Sequence, residues 1–427
     1  LRAQKLAPGF RLPRDEVEQS QRLRLLAAMV AVVSEQGYDA TTVAKIVEMS
    51  GVSRTAFYRL FANKEACFVA AVDEIVGFLT SAVIAAYGED APWDERLRAT
   101  FEAFVGMVVE QPAAARLCLL EVYVAGPEAV RHSDQAAATF EQLAQQAVRD
   151  APEYAATSPL VVRGIVGGIR KVVFTRLRRG DVATLPDLVP ELWRWALSYK
   201  APSVPLRQPR VRSEPPAPRF VAHDQVERLC AAMAKVTAEK GYAATTLDDV
   251  VAEAAASLST FYTHFATKEE AFLAAYDVGL AQTFAAALPA YQRAPEWRYG
   301  IRAVADSMLA YLSAEPTWAR LGILETLAAG PRGMERRDNA IATFAELLQP
   351  GFDEGPGVPA IAAEAIGGAI YELLYDHIRE RGTTRLPELQ PATTFLGLAP
   401  FIGVEEAAAI ANERPSRRPA RGHSKAG

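Results

Sequence analysis

Cysteine is scarce in this chain: Cys67, Cys118 and Cys230 are the only three among 427 residues, widely spaced and without a CxxC pair. That excludes a disulfide framework and a cysteine zinc site, and it fits a reducing cytosol. Long apolar runs are missing too. The longest nearly unbroken one, Leu25 to Val33, falls far short of the ~20 residues of a membrane-spanning helix, and the N-terminus lacks a signal-type apolar core. The expectation is a cytoplasmic protein with no membrane partner. Strand signals are essentially absent. So are catalytic motifs: there is no P-loop, GxSxG or HExxH, and the five histidines are scattered. His377 beside Asp376 is the one suggestive pair, and a surface role suits it better. No enzyme, metal or cofactor is expected.

Half of the residues are hydrophobic and 23% are charged, the profile of a globular protein with real cores. The net charge of −5 does not point to nucleic acid. Its distribution does, because DNA binding needs only a local basic surface. Residues 1–64 carry ten Lys or Arg against six acids.

The chain repeats itself. Gly37-Tyr38 recurs as Gly241-Tyr242, Thr41-Thr42 as Thr245-Thr246, Phe57-Tyr58 as Phe261-Tyr262 and Lys64-Glu65 as Lys268-Glu269, all at an offset of 204. Between 37–73 and 241–277, 17 of 37 positions are identical. The register continues through Glu121 and Glu325, then slips, so that Gly167-Gly168 matches Gly367-Gly368. Each copy is a full domain in size and not a short solenoid repeat.

Apolar residues at helical spacing (Leu23, Leu26, Ala27, Val30, Val33; Val226, Leu229, Met233, Val236) make the fold all-α. Gly37 and Gly241 end the first helix of each copy, and the threonine pairs cap the next. Residues 43–49 read as a short helix and Ser50-Gly51-Val52 as a tight turn. Ser53 then caps a helix through Phe61, which together make a helix-turn-helix. At 100° per residue, Arg54, Thr55, Tyr58 and Arg59 share one arc, while Ala56, Phe57, Leu60 and Phe61 share the opposite, core-facing one. The first arc carries the donors suited to base edges and phosphates. In the second copy the matching arc is Leu258, Ser259, Tyr262 and Thr263, without charge, and Ala255 replaces the turn glycine.

The pattern Gly37-Tyr38-x-x-Thr41-Thr42, Gly51-Val52-Ser53-Arg54-x-x-Phe57-Tyr58-Arg59-x-Phe61, Lys64-Glu65 resembles the DNA-binding signature of the tetracycline-repressor (TetR) family. The second copy resembles it more loosely. The likeness covers about 50 residues per copy. It implies that three N-terminal helices bind double-stranded DNA while variable C-terminal helices bind a small-molecule effector and dimerise. It implies phosphate contacts for Thr42, Tyr58 and Lys64, with Lys45 in the same DNA-binding set. Thr55 and Arg59 would face the major groove, with Arg54 at its edge. In the second head Thr246, Ser259, Tyr262, Thr263, His264 and Lys268 would take these places. Leu60 departs from the family's usual His, which removes one phosphate contact.

Expected boundaries are a first helix-turn-helix domain at 18–66, a regulatory domain at 67–200, and a Pro-rich linker at 201–221. A second helix-turn-helix domain at 222–270, a second regulatory domain at 271–411 and a disordered basic tail at 412–427 follow. An extended linker of this length reaches roughly 60 Å at ~3.1 Å per residue. That allows the two units to dock as an intramolecular pseudo-dimer through helices 160–179 with 187–199 and 360–381 with 387–411, further homo-oligomers staying open. Because the two arcs differ, the operator is expected to be asymmetric. Phe104, Met107, Tyr123, Met308 and Tyr311 either line apolar effector pockets or belong to ordinary core. Glu121 and Glu325 either touch an effector or hold a helix by a hydrogen bond. The expected function is a transcriptional regulator, by family default a repressor released by a small apolar ligand. The alternative is a ligand-binding or scaffolding protein with degenerate heads.

Overall fold

The computed structural model describes residues 13–88, 91–209, 220–355 and 357–413. The basic arm before residue 13, the linker core at 210–219 and the tail from 414 lie outside the described residues, so the expectations placed on them go no further here. Every regular element among the described residues is helical.

The first unit comprises α1 (Arg14–Ala40), α2 (Val43–Ser50), α3 (Arg54–Leu60), α4 (Lys64–Tyr87), α5 (Trp93–Glu110), α6 (Pro112–Arg116), α7 (Val122–Ala125), α8 (Pro127–Arg149), α9 (Pro159–Arg179) and α10 (Leu185–Leu197). The second repeats the plan with α11 (Gln225–Lys240), α12 (Leu247–Glu253), α13 (Leu258–His264), α14 (Lys268–Gln292), α15 (Trp297–Ala314), α16 (Pro316–Arg320), α17 (Pro331–Ala345), α18 (Gln349–Glu354), α19 (Ala362–Arg381), α20 (Gln390–Ile402) and α21 (Val404–Asn412). A wide π-helical turn, Leu117–Glu121 or Leu321–Glu325, follows α6 and α16.

Local chemistry sets these boundaries. Gly37 takes φ +80° and breaks α1 near its end, and Gly241 at φ +84° stops α11. These are left-handed values that glycine adopts without a Cβ clash. The side chains of Thr42, Ser53 and Asn63 accept the backbone N–H groups of Lys45, Ala56 and Ala66, capping α2, α3 and α4. Proline opens α6, α8, α9, α16 and α17, where its missing N–H costs nothing. All three cysteines are buried and unpaired, and burial pushes each thiol up to about 12.

The two units touch where α9 crosses α19 at their glycine pairs. A Cβ on Gly168 would stand 2.5 Å from the Ala365 carbonyl oxygen, and one on Gly167 2.5 Å from the Glu372 Cβ. A shared apolar core runs through the contact, with Trp195 and Tyr199 of the first unit beside Phe395 and Leu396 of the second. The Tyr199 hydroxyl donates to the Leu396 carbonyl at 2.8 Å. Charge is divided across the crossing: α9 supplies Arg163, Arg170, Lys171 and Arg176, and α19 supplies Glu364, Glu372, Asp376 and Glu380.

Three expectations need correction. The helix expected at 387–411 is two, because Gly403 at φ +81° separates α20 from α21. The start of the linker is not a free spacer. Ser203 donates from its N–H (2.9 Å) and hydroxyl (2.5 Å) to Glu405, and the Arg207 N–H donates to the Asn412 side chain at 2.8 Å. Finally, α4 and α14 are long and apolar enough to cross a membrane by length and composition. Run length missed this because acids such as Asp73, Glu74 and Asp277 interrupt otherwise apolar helices. In the fold, α4 packs Cys67, Phe68, Ala71 and Val72 into the core of the first reading head with Leu25 and Met29.

Candidate functional site

In the first head, α3 turns Ala56 and Phe57 into the core and leaves Arg54, Thr55, Tyr58 and Arg59 exposed. The Arg54 guanidinium lies 5.7 Å from the Tyr58 ring centroid, which holds both on one surface. Arg59 is tethered to α1: its Nη2 donates to Gln21 at 2.9 Å and its Nε lies 3.4 Å from Glu18. Thr42 is exposed and uses its oxygen to cap α2, so its hydroxyl proton is still available to a phosphate. Lys45 is exposed beside Gln36, to which its ammonium donates.

Lys64, expected to touch phosphate, is half-buried beside these groups and is already bonded within the fold. Its ammonium donates to the Tyr38 carbonyl at 2.9 Å and sits 3.9 Å from the Tyr38 ring centroid. Burial draws its pKa below the usual lysine value. Lys268 does the same in the second head, donating to the carbonyls of Tyr242 (3.0 Å) and Thr245 (3.1 Å). These lysines staple the kink after the first helix, and the Tyr38 and Tyr242 carbonyls directly follow the glycine that creates it.

The second head keeps the scaffold and loses the cations. Ser259, Tyr262, Thr263 and His264 are exposed on α13, with Leu258 beside them. Thr263 bonds back to the Ser259 carbonyl at 2.9 Å, and His264 lies 3.3 Å from Gln225. Thr246 is locked in a capping box with Asp249, which also pairs with Lys240 at 2.6 Å. Asp249 stands where the first head has Lys45, Leu258 where it has Arg54, and Thr263 where it has Arg59.

Glu121 and Glu325 reach out of the C-terminal halves of their units. Each ends a π-helical turn and reaches the reading head, where Glu121 accepts the Tyr38 N–H at 3.0 Å and Glu325 the Tyr242 N–H at 2.9 Å. Arg116 lies 3.3 Å from Glu121. Burial pushes the Glu325 carboxyl up, against the pull of the Tyr242 N–H and Arg320. Each kink is thus gripped on its N–H by the regulatory half and on its carbonyl by the lysine of the fourth helix. The hydrogen bond each glutamate accepts joins two domains and not turns of one helix. The signal was present: glutamate and Gly-Tyr pair recur at the same offset of 204.

The regulatory half of the second unit encloses an apolar cavity of about 150 Å³. Tyr276 and Leu280 of α14, Met308 of α15, Trp318 of α16, Arg337 of α17 and Tyr371 of α19 are among its walls. Of the expected pocket residues only Met308 lines it. Tyr311 is a half-buried neighbour of the core, and its hydroxyl is buried without a partner among the described residues. In the first unit Phe104 packs on Phe140 at 5.8 Å, Met107 is half-buried, and Tyr123 faces Tyr375 of the other unit at 6.5 Å. At the offset of 204, Gly279, Ala305 and Gly322 of the cavity walls stand where the first unit has Ile75, Phe101 and Cys118, and Tyr276 and Trp318 stand where it has Val72 and Ala114. Among the described residues, no three His, Cys, Asp or Glu side chains are grouped to hold a metal.

The chain matches the family model "Bacterial regulatory proteins, tetR family" twice, over residues 25–71 and 229–275. It is 33% identical over 120 residues to the HTH-type transcriptional activator FasR of Mycolicibacterium smegmatis, a match covering 28% of this chain and 53% of the relative. The chain thus spans about half the length of that curated protein. Among solved structures it is similar to the fatty acid degradation regulator FadR of Bacillus halodurans, with 20% identity, a TM-score of 0.38, and 41% and 96% of the two chains covered. A TetR-like regulator of a Rhodococcus species gives 21% identity, a TM-score of 0.37 and coverage of 44% and 99%. A capped helix-turn-helix stands in each unit at the residues the family model matches, so the chain carries two regions of the tetR DNA-binding type in tandem.

Proposed function

We propose that this regulator reads DNA chiefly through its first head and responds to a small apolar effector held in its second unit. The observation that carries the first part is the exposed arc of Arg54, Thr55, Tyr58 and Arg59 on a capped helix, with Thr42 and Lys45 beside it. Guanidinium groups suit guanine edges and phosphates, and the phenol and hydroxyls suit phosphates. The second head contributes at most neutral contacts through Thr246, Ser259, Tyr262, Thr263 and His264.

The two units act as a pseudo-dimer in one chain. A basic α9 against an acidic α19 favours this pairing over either helix with a copy of itself, since like charges oppose one another. The operator is accordingly asymmetric. Repression, with release when effector binds, completes the proposal. The curated relative is an activator, and a promoter fusion with the operator placed upstream or downstream of the start site reads the sign directly.

The test is a genomic-fragment binding selection with the full chain, followed by footprinting and a salt series. One asymmetric site protected by one chain is expected. A clean palindrome holding two chains would mean that first units pair between chains. No specific site even at low salt would favour the ligand-binding scaffold.

A further inference from the structure

The cavity lies in the unit whose reading arc has no charge, and the charged arc lies in the other unit. We infer that the effector cavity of the second unit controls the first unit's head across the contact between the units, through Arg337 and Phe174. This rests on the reading of the first head as the DNA reader and of the cavity as the effector site.

The wall of the cavity is also the inter-unit contact. Arg337 lines the cavity, and its guanidinium lies 4.2 Å from the ring centroid of Phe174 on α9 of the first unit. The next residue, Asp338, accepts from Arg178 at 3.0 Å and pairs with Lys171 at 3.1 Å, both also on α9. Asp338 is bound to Arg337 as well, at 2.9 Å. A molecule that moves the Arg337 guanidinium must therefore disturb a buried group of charges belonging to both units. Such groups have few alternative arrangements, because an unpaired buried charge is costly.

On the far side of Phe174 the contact continues to the first head. Phe174 shares one apolar cluster with Leu120 of its own unit and with Ile341 and Tyr371, two further cavity residues of the other. Leu120 directly precedes Glu121, whose carboxylate holds the Tyr38 N–H at the kink between α1 and α2. Cavity wall, Phe174, Leu120, Glu121 and Tyr38 thus form an unbroken packed series. Interiors packed at this density pass on a displacement and do not absorb it.

A shorter route exists within the second unit. Leu321 and Ile323 line the cavity, the Tyr371 hydroxyl donates to the Ile323 carbonyl at 2.6 Å, and Glu325 holds the Tyr242 N–H at 2.9 Å. That route ends at a head without charge on its arc. An effector signal that changes DNA affinity strongly has to take the route across the units.

Packing supplies the route and an experiment must supply the coupling. The readout is amide hydrogen exchange of the full chain in peptides containing Tyr38 and Tyr242. Two occupants are used for the cavity: the amphipathic fluorophore 1-anilinonaphthalene-8-sulfonate, whose aromatic rings suit its apolar walls, and the substitution Ala305→Phe, which installs the side chain that Phe101 provides in the first unit. Probe fluorescence that Ala305→Phe abolishes identifies probe bound in the cavity. Either occupant is expected to change exchange at Tyr38 by about fivefold or more, the low end of allosteric couplings. Phe174→Leu is expected to suppress that change while leaving the change at Tyr242. Exchange that responds at Tyr242 and not at Tyr38, or at neither with the cavity filled, would overturn the inference. So would a Tyr38 response that survives Phe174→Leu. No arm contains DNA, so a failure of the first head to bind an operator would be seen separately.

Discussion

The two reading heads share a scaffold and differ on its surface. Both have a glycine kink held by a glutamate and a lysine staple, a threonine cap and a pair of buried phenylalanines. Identity between the copies is concentrated in these groups, so it reports on folding and not on reading. The residues that would meet DNA have diverged, with Lys45, Arg54 and Arg59 opposed to Asp249, Leu258 and Thr263. The C-terminal halves diverge as well, since Ala305 and Trp318 of the cavity walls stand where the first unit has Phe101 and Ala114. One duplicated architecture therefore carries a cationic helix surface in one copy and an enclosed cavity in the other.

The largest effect should come from making the first head like the second. Arg54→Leu with Arg59→Thr is expected to cost about 1–3 kcal/mol apiece in operator affinity, measured by titration at fixed salt. The reciprocal pair, Leu258→Arg with Thr263→Arg, should steepen the salt dependence by about two units if the second head lies against the duplex. An unchanged slope would show that it does not reach DNA.

The contact between units offers a second comparison, because Asp376 of α19 stands where α9 has Arg176. Burial and the neighbouring Glu372 push the Asp376 carboxyl up to about 7, against Arg170 and Arg163. A carboxyl whose pKa is higher folded than unfolded binds more protons in the folded state. Its contribution is therefore complete below about pH 4 and is lost as pH rises towards 7. Asp376→Asn should flatten that fall and raise thermal stability at neutral pH, by a few kcal/mol at most. Unfolding curves between pH 4 and 8 that coincide in shape for both proteins would remove Asp376 from the account.

Much of this was legible in sequence because it is local. Caps, the glycine kinks and the two arcs of α3 follow from residues within one or two turns, and the structure buries Ala56, Phe57 and Phe61 as the 100° count requires. The cavity was not legible, because it arises where six helices fail to fill a volume, and Met308 looks like any core methionine until its neighbours are known. The bond that Lys64 makes was hidden for a related reason. A lysine at a helix start is compatible with phosphate, with a nearby carbonyl or with both, and only the fold brings the Tyr38 carbonyl within its reach. Glu121 and Glu325 needed pairing across 83 residues with the kinks they hold.

Lys64 can be tested by the same contrast between the heads. Lys64→Met removes the bond to the Tyr38 carbonyl and the ammonium over its ring while retaining the apolar stem. It should cost about 1–2 kcal/mol of stability and leave the salt slope of DNA binding unchanged. Lys268→Met should behave alike in stability. A slope smaller by about one unit in Lys64→Met alone would return Lys64 to the phosphate contacts.

The smallest expected effect concerns the turn inside each helix-turn-helix. Gly51 makes it in the first head at φ +60°, and Ala255 makes it in the second at φ +49°, the only non-glycine residue with positive φ among the described residues. A left-handed backbone sets a Cβ against the following carbonyl and costs an L-residue about 1–2 kcal/mol. Glycine avoids that cost but loses more freedom on folding, which returns up to about 1 kcal/mol. The net expectation for Ala255→Gly is therefore a gain of no more than about 1 kcal/mol, and Gly51→Ala should lose a similar amount or more. In the first head the penalty is compounded, because a Cβ at Gly51 would lie 2.9 Å from an Arg24 guanidinium nitrogen that donates to the Ser50 carbonyl. Thermal melts of the two variants should move in opposite directions. Equal shifts of the same sign would mean that the turn in the second head is held by its neighbours and not strained by its own side chain.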